Sequence, residues 1–228
     1  MKYNTYIFDL DGTLLDTLTD LAASCNYALR THGMPEHSID DVRRFVGNGV
    51  RKLMERAIPD GDANPDFEAT FATFREHYMH HSLDTTRPYP GIPEILAELK
   101  ARGCKLAVVS NKMMAATVEL CHHFFPDTIE VAIGENEAAG IRKKPAPDTV
   151  FAAFDSLSIP RPLGGGARDE ENSAVYVGDS DVDIATAHNA GIPCISVLWG
   201  FRDSEFLLEH GAETFILKPS DLLADLCF

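Results

Sequence analysis

Asp9 and Asp11 stand one residue apart where an apolar run, Tyr3 to Phe8, meets Gly12. Strand side chains alternate, so both carboxylates leave such a strand in roughly the same direction, beyond its C-terminal edge. Carboxylates this close repel each other unless a cation joins them or one holds a proton. Two solutions are open: a shared divalent metal, or a division of labour between a nucleophile and an acid. Gly12 permits a sharp turn, and Thr13 offers a hydroxyl there. A calcium loop of the D-x-D-x-D-G kind fits poorly, because Gly12 comes too early and the flank reads as a strand rather than a helix.

Three other patches could join this chemistry. Asp179, Asp181 and Asp183 follow the apolar run Ala174 to Gly178. Asp179 and Asp183 are four apart and share a face if a helix begins there, with Asp181 facing elsewhere or capping it. Acids at a helix start are favoured by the dipole alone. With an apolar strand in front and Asp9-x-Asp11 elsewhere, a shared magnesium site is the stronger reading, since hard cations take carboxylates, carbonyls and water. Ser110 and Asn111 end a second apolar run. A hydroxyl and successive N–H groups at a helix N-terminus make an anion site, although these residues alone fit an ordinary serine cap equally well. Arg142-Lys143-Lys144 runs into Pro145-Ala146-Pro147. Prolines lack an N–H and fix the approach of the chain, so they can aim the preceding lysine.

Strand-like runs at Tyr3 to Phe8, Lys105 to Ser110, Ile129 to Ile133, Ala174 to Gly178, Cys194 to Trp199 and Thr214 to Leu217 position these groups. Helical patterns separate them. The alternation predicts an α/β fold with a doubly wound parallel, Rossmann-like sheet, in which ligands bind beyond the carboxyl ends of the strands. From Thr17 to about Thr86 the pattern is helical throughout. Leu18, Leu21, Ala22, Cys25, Ala28 and Leu29 form one apolar stripe, Val50, Leu53, Met54, Ala57 and Ile58 a second, and Phe67, Phe71, Phe74 and Tyr78 a third. About seventy residues is too long for an ordinary crossover. Residues 17–86 are therefore expected to form a small helical cap inserted into an α/β core of residues 1–16 and 87–228. Arg161 to Asn172, with three successive glycines, reads as a flexible surface loop.

The bulk numbers limit the partners. A net charge of −15 over 228 residues argues against nucleic acid and anionic membranes, both of which require clustered Lys and Arg. Local cations or a metal can still hold a small phosphate ester. No apolar run approaches ~18 residues, and the N-terminus lacks a secretory pattern. Five scattered cysteines, Cys25, Cys104, Cys121, Cys194 and Cys227, form no C-x-x-C, so free thiols in a reducing cytoplasm are expected. His77, His80 and His81 lie at helical spacing that could bind zinc, but an exposed helix face accounts for them more simply. His122 and His123 are adjacent and cannot meet one metal from a helix. Trp199 is expected to cover the sheet end.

Asp9-Leu10-Asp11-Gly12-Thr13-Leu14 with Asp16, followed in order by Ser110, Lys144-Pro145 and Gly178-Asp179 with Asp183, resembles the signature set of the haloacid dehalogenase superfamily of phosphohydrolases. The resemblance implies that Asp9 attacks phosphorus to give an aspartyl-phosphate. It implies that Asp11 protonates the leaving alkoxide and then takes a proton from water. Ser110, the Asn111 N–H and Lys144 rather than Lys143 would neutralise the phosphoryl oxygens, with Asp11, Gly12 and Thr13 also binding the phosphate. Mg²⁺ would be held by the Asp9 carboxylate, the Asp11 carbonyl and Asp179, with Asp183 acting through water or orienting the others. The cap would close over the site and exclude water.

The cap carries the substrate signal. Arg43 to Ala57 is locally basic, and Gly47-Asn48-Gly49 offers backbone N–H groups at a helix start, suited to a carboxylate. This patch, with Arg87 to Gly91 and Leu96-x-x-Leu99, resembles the phosphoglycolate phosphatases. The implied activity is a Mg²⁺-dependent phosphomonoesterase acting on 2-phosphoglycolate or a similar small phosphorylated metabolite, as a monomer or homodimer. Competing activities are a β-phosphoglucomutase-like phosphomutase, an inorganic pyrophosphatase and a non-catalytic phosphate-binding module. Related mutases carry a small-residue serine loop where this chain has Ser110-Asn111-Lys112, which favours a hydrolase.

Overall fold

The computed structural model describes residues 2–161 and 173–223. In chain order the elements are β1 (Thr5–Phe8), β2 (Leu15–Asp16), α1 (Leu18–Thr31), α2 (Ile39–Phe45), α3 (Val50–Ala57), α4 (Phe67–His81) and β3 (Arg87–Pro88). They continue as α5 (Ile92–Ala101), β4 (Lys105–Met113), α6 (Met114–Phe124), β5 (Val131–Glu135) and α7 (Asp148–Ser156). The last are β6 (Ala174–Gly178), α8 (Asp181–Ala190), β7 (Cys194–Val197), α9 (Ser204–Glu209) and β8 (Phe215–Ile216). Two compact units result, Met1–Leu15 with Pro88–Phe228, and Asp16–Arg87.

The first unit is built on a six-stranded sheet in the order β5-β4-β1-β6-β7-β8, every paired neighbour parallel. Alternation along the strands divides its core into two layers. Tyr6, Phe8, Leu106, Val108, Val175 and Val177 pack on one face against Ile95, Leu96, Leu99 and Leu120 of α5 and α6. Ile7, Ala107, Val109 and Tyr176 pack on the other against Val150, Phe154, Ala187 and Ala190 of α7 and α8. Burial on both faces explains why these strands are near-continuous apolar runs. The sheet is doubly wound, as the alternation of patterns predicts.

The second unit holds α1 to α4. Leu18, Leu21, Cys25 and Leu29, Leu53 and Met54, and Phe67, Phe74 and Tyr78 are buried, so each apolar stripe faces inward. The sequence reading treats α2 as part of a continuous helical stretch; it is a separate short helix started by Ser38, whose hydroxyl accepts from Asp41 N in a capping box. Asp20, in the first turn of α1, closes the neck of this unit. Its buried carboxylate accepts from the backbone N–H of Thr85 and Thr86 and from both hydroxyls, at 2.6–3.0 Å. The four described cysteines are free thiols. Cys227 and the glycine stretch from residue 162 to 172 lie outside the described residues. No helix among the described residues is long and apolar enough to cross a membrane.

Candidate active site

The site grows from the carboxyl ends of three adjacent strands, β4, β1 and β6. Phe8 is level with Val108 and Val177. Asp9 continues β1 by donating its N–H to Val177 O at 2.9 Å. Ser110 and Asp179 follow two residues past those partners, so two carboxylates and a hydroxyl emerge on one edge of the sheet.

Lys144 ties this edge together. Its buried ammonium lies 2.9 Å from Asp9 Oδ1, 2.8 Å from Asp183 Oδ1 and 3.1 Å from Tyr176 Oη. The tyrosine in turn donates to Val109 O at 3.1 Å. Burial by itself would strip the lysine of its proton, but Asp183 and Asp9 outweigh it and hold the group charged. Asp9 is pushed up to about 7, first by burial and then by the charge of Asp183, with Lys144 opposing. Of Arg142, Lys143 and Lys144, it is Lys144 that meets Asp9. Arg142 pairs with Asp148 at 2.8 Å instead.

Asp179 is gripped on every side. Thr13 Oγ1 donates to its Oδ1 at 3.2 Å and Phe201 N to its Oδ2 at 2.7 Å. Gly12, at φ +83°, and Gly200 both lie so close that a Cβ on either would collide with the Asp179 side chain. Trp199 Nε1 donates to Thr13 O at 3.0 Å and so pins the Asp9–Thr13 loop. The N–H of Gly12 goes to Leu15 O and the Thr13 hydroxyl to Asp179, so these two donors, expected on the phosphate, are engaged by the protein itself. Burial, then Asp183 and Asp9, push the Asp179 carboxyl well above the usual carboxylate range.

Two local expectations are corrected. Asp179 does not share a helix face with Asp183. Helix α8 begins at Asp181, with Ser180 as its cap, and Asp179 precedes it. The two acids meet because Asp183 Oδ2 turns back to accept from Asp179 N, Ser180 N and Ser180 Oγ at 2.6–3.2 Å. With Oδ1 on Lys144, both Asp183 oxygens are occupied by protein donors, which suits an orienting role. Asp181 takes no part in the cap. Ser110 and Asn111 likewise do not stand at a helix N-terminus, because β4 continues to Met113 and α6 starts only at Met114.

That extension gives the Asn111 side chain a partner and brings in Lys112, which the sequence did not single out as a site residue. Asn111 faces the Lys144 backbone, accepting from its N–H at 2.8 Å and donating to its carbonyl at 3.0 Å. Lys112 sends its buried ammonium to both oxygens of Asp11, at 2.9 and 3.1 Å. Its N–H donates to Ser110 Oγ at 3.3 Å. Tyr176, mid-strand in an apolar run, reads as core until Lys144 is seen against it. A lysine at the end of an apolar strand was the available signal for Lys112.

The residues present fit a hard divalent cation. Asp9, Asp179 and Asp183 are buried and can bring carboxylate oxygens within 4.8 Å of one another, the metal-capable group found among the described residues. Its donor set is all oxygen, and Gly12 and Gly200 leave just enough room for Asp179. The histidines of α4 are used otherwise. His77 bonds Ser24 Oγ at 3.0 Å and stacks on Tyr27 and His81, while His81 meets Asp84 at 2.8 Å. In the same unit Gly49 caps α3, and Asn48 Oδ1 accepts from Arg56 at 2.7 Å.

Sequence and structure comparisons agree with this geometry. The model of the haloacid dehalogenase-like hydrolases matches residues 6–197. A phosphoglycolate phosphatase of Aquifex aeolicus is 33% identical over 219 residues, covering 95% of this chain and 93% of the relative. An N-acetylmuramic acid 6-phosphate phosphatase of Pseudomonas aeruginosa is 28% identical, covering 98% and 94%. The crystal structure of a provisionally named phosphoglycolate phosphatase from Lactobacillus delbrueckii subsp. bulgaricus superposes with a TM-score of 0.88 at 35% identity, covering 97% of both chains. The chain belongs to the haloacid dehalogenase-like hydrolases. Within them it is a phosphatase that resembles the phosphoglycolate phosphatases.

Proposed function

We propose that this chain is a Mg²⁺-dependent phosphomonoesterase that works through an aspartyl-phosphate on Asp9, with 2-phosphoglycolate as its substrate. The observation that carries the reading is the buried cluster of Asp9, Asp179 and Asp183, two of which, Asp9 and Asp183, meet the buried ammonium of Lys144. Three buried carboxylates with one lysine among them, paired to Asp9 and Asp183 alone, leave a negative surplus that suits a bound cation.

Asp9, Asp179 and the Asp11 carbonyl would hold the ion, and Asp183 would position Asp179 and Lys144. When bound, Mg²⁺ supplies Lewis-acid stabilisation of charge on the phosphoryl oxygens. The chain's own residues do the rest. Both donors to the Asp9 carboxylate, Leu10 N and Lys144 Nζ, fall on Oδ1, which fixes its orientation for attack through the other oxygen. Asp11 gives a proton to the departing alkoxide and takes one from the water that cleaves the intermediate. Ser110 and the Asn111 N–H bind the transferring group, and Lys144 balances its charge. Gly47, Asn48 and Gly49 of the helical unit are proposed to contribute to substrate choice. Localisation in the cytoplasm fits the free thiols.

The test is phosphate release with Mg²⁺ from 2-phosphoglycolate beside N-acetylmuramic acid 6-phosphate, hexose phosphates, nucleotides and pyrophosphate. The reading predicts a kcat/KM for phosphoglycolate at least ~100-fold above the others, about 2.7 kcal/mol of discrimination. A preference for a sugar phosphate would move the assignment to that substrate, and conversion of a hexose phosphate to its isomer would make the chain a mutase.

A further inference from the structure

We propose that Lys112 reads an acid group on the leaving part of the substrate, and so selects phosphate esters of 2-hydroxy acids. This deepens the phosphatase reading above and rests on it. Lys112 lies on β4, two residues past Ser110, with Nζ at 2.9 and 3.1 Å from the two oxygens of Asp11.

The pair is asymmetric. The lysine side chain is 1% exposed and that of Asp11 16%. A carboxylate in contact with solvent does not need a buried lysine for company, and lysine is among the residues least often buried. The desolvation falls on the cation, which is costly for any buried ion. What the arrangement provides is a second fixed ammonium at the site. Lys144, the other, is held by Asp9, Asp183 and Tyr176, as Lys112 is held by Asp11.

Its place is the informative part. Phosphorus is attacked from Asp9, and the leaving oxygen takes its proton from Asp11, so the atoms beyond that oxygen lie next to Asp11. An ester carbon bearing a carboxylate puts that carboxylate two bonds past the leaving oxygen, which is within reach of an ammonium that touches Asp11 itself. A strongly hydrated ammonium suits a single carboxylate as a point charge and requires no planar fork. A neutral leaving group of the same shape gains nothing from it.

The experiment compares 2-phosphoglycolate with ethyl phosphate, its near-isostere lacking the acid, as substrates for wild type, Lys112→Met and Lys112→Arg at saturating Mg²⁺. The acid preference, the ratio of kcat/KM for phosphoglycolate to that for ethyl phosphate, is expected to fall ~20-fold in Lys112→Met and to be partly restored in Lys112→Arg. Equal losses on both substrates would overturn the proposal and leave Lys112 as a residue that only positions Asp11. A wild-type preference that survives in Lys112→Met would overturn it alone. A wild type without any preference for the acid would overturn both this inference and the phosphoglycolate reading. Should Lys112→Met fail to fold, calorimetric binding of the same two esters to Asp11→Asn and to Asp11→Asn/Lys112→Met decides the matter, because the double variant buries no unpaired charge. Loss of the acid preference only in the double variant supports the proposal, and its persistence there refutes it.

Discussion

Asn111 clamps the backbone of Lys144, taking its N–H on Oδ1 and giving Nδ2–H to its carbonyl across 33 residues of sequence. The residue beside Ser110 thereby fixes the lysine that faces Asp9. Asn111→Ala would leave a buried N–H and a buried carbonyl without partners, at about 1–3 kcal/mol each. The Lys144 ammonium would lose its aim. We expect kcat to fall ~10–100-fold with a smaller change in KM, together with a lower melting temperature, as measured by steady-state kinetics and calorimetry.

Gly200 bears on the proposed metal site. A methyl group there would meet the Asp179 side chain and the Gly12 carbonyl. Gly200→Ala is expected to displace Asp179, raising the Mg²⁺ concentration for half-maximal activity by ~10–100-fold, the scale seen when residues supporting metal ligands are lost. A metal titration of activity checks this. An unchanged activation curve would show that Asp179 does not hold the ion.

Asp20 should make the stability of the helical unit depend on pH. Its burial raises the carboxyl's pKa, but the hydrogen bonds from Thr85 and Thr86 outweigh this and hold it below the usual carboxylate range. A group whose pKa is lower folded than unfolded contributes stability that is present above its unfolded value, near pH 4. That contribution is lost as pH falls through the folded value. Asp20→Asn is expected to cost about 2 kcal/mol at neutral pH, the scale of hydrogen bonds to a charged acceptor. The gap between wild type and variant should narrow as the solution is taken below about pH 4. Urea melts of both proteins across that range measure it. A gap that stays constant with pH would mean that Asp20 is not held as the anion.

The parts of the site readable from sequence are those whose signal is local. Asp9-x-Asp11-Gly12 ends a strand, Asp179 ends another, and Lys144 precedes a proline, so spacing and turn chemistry expose each one. The parts that escaped join residues far apart in the chain. Lys112 meets Asp11 over 101 positions and Tyr176 meets Lys144 over 32, and no periodicity reports such pairs. Tyr176 also hides in an apolar run whose composition a buried parallel strand demands on its own. The end of β4 was misplaced for a related reason. Ser110-Asn111 carries cap-like residues, but pairing of Met113 with Glu135 of β5 prolongs the strand past them. Tertiary pairing overrode a local preference. The short helix α2 could have been found, since Ser38 and Asp41 form its capping box.

The central claim is that Asp9 is the nucleophile. Its most direct test is to acid-quench the enzyme during turnover of 2-phosphoglycolate with Mg²⁺, digest it and locate any covalent phosphoryl group by mass spectrometry, beside an Asp9→Asn control. The account predicts a phosphoryl group on the peptide containing Asp9, no such adduct in the control, and a turnover loss in the control of at least ~10³-fold. A phosphoryl group on another residue, or an Asp9→Asn protein that still releases phosphate within tenfold of wild type, would contradict it.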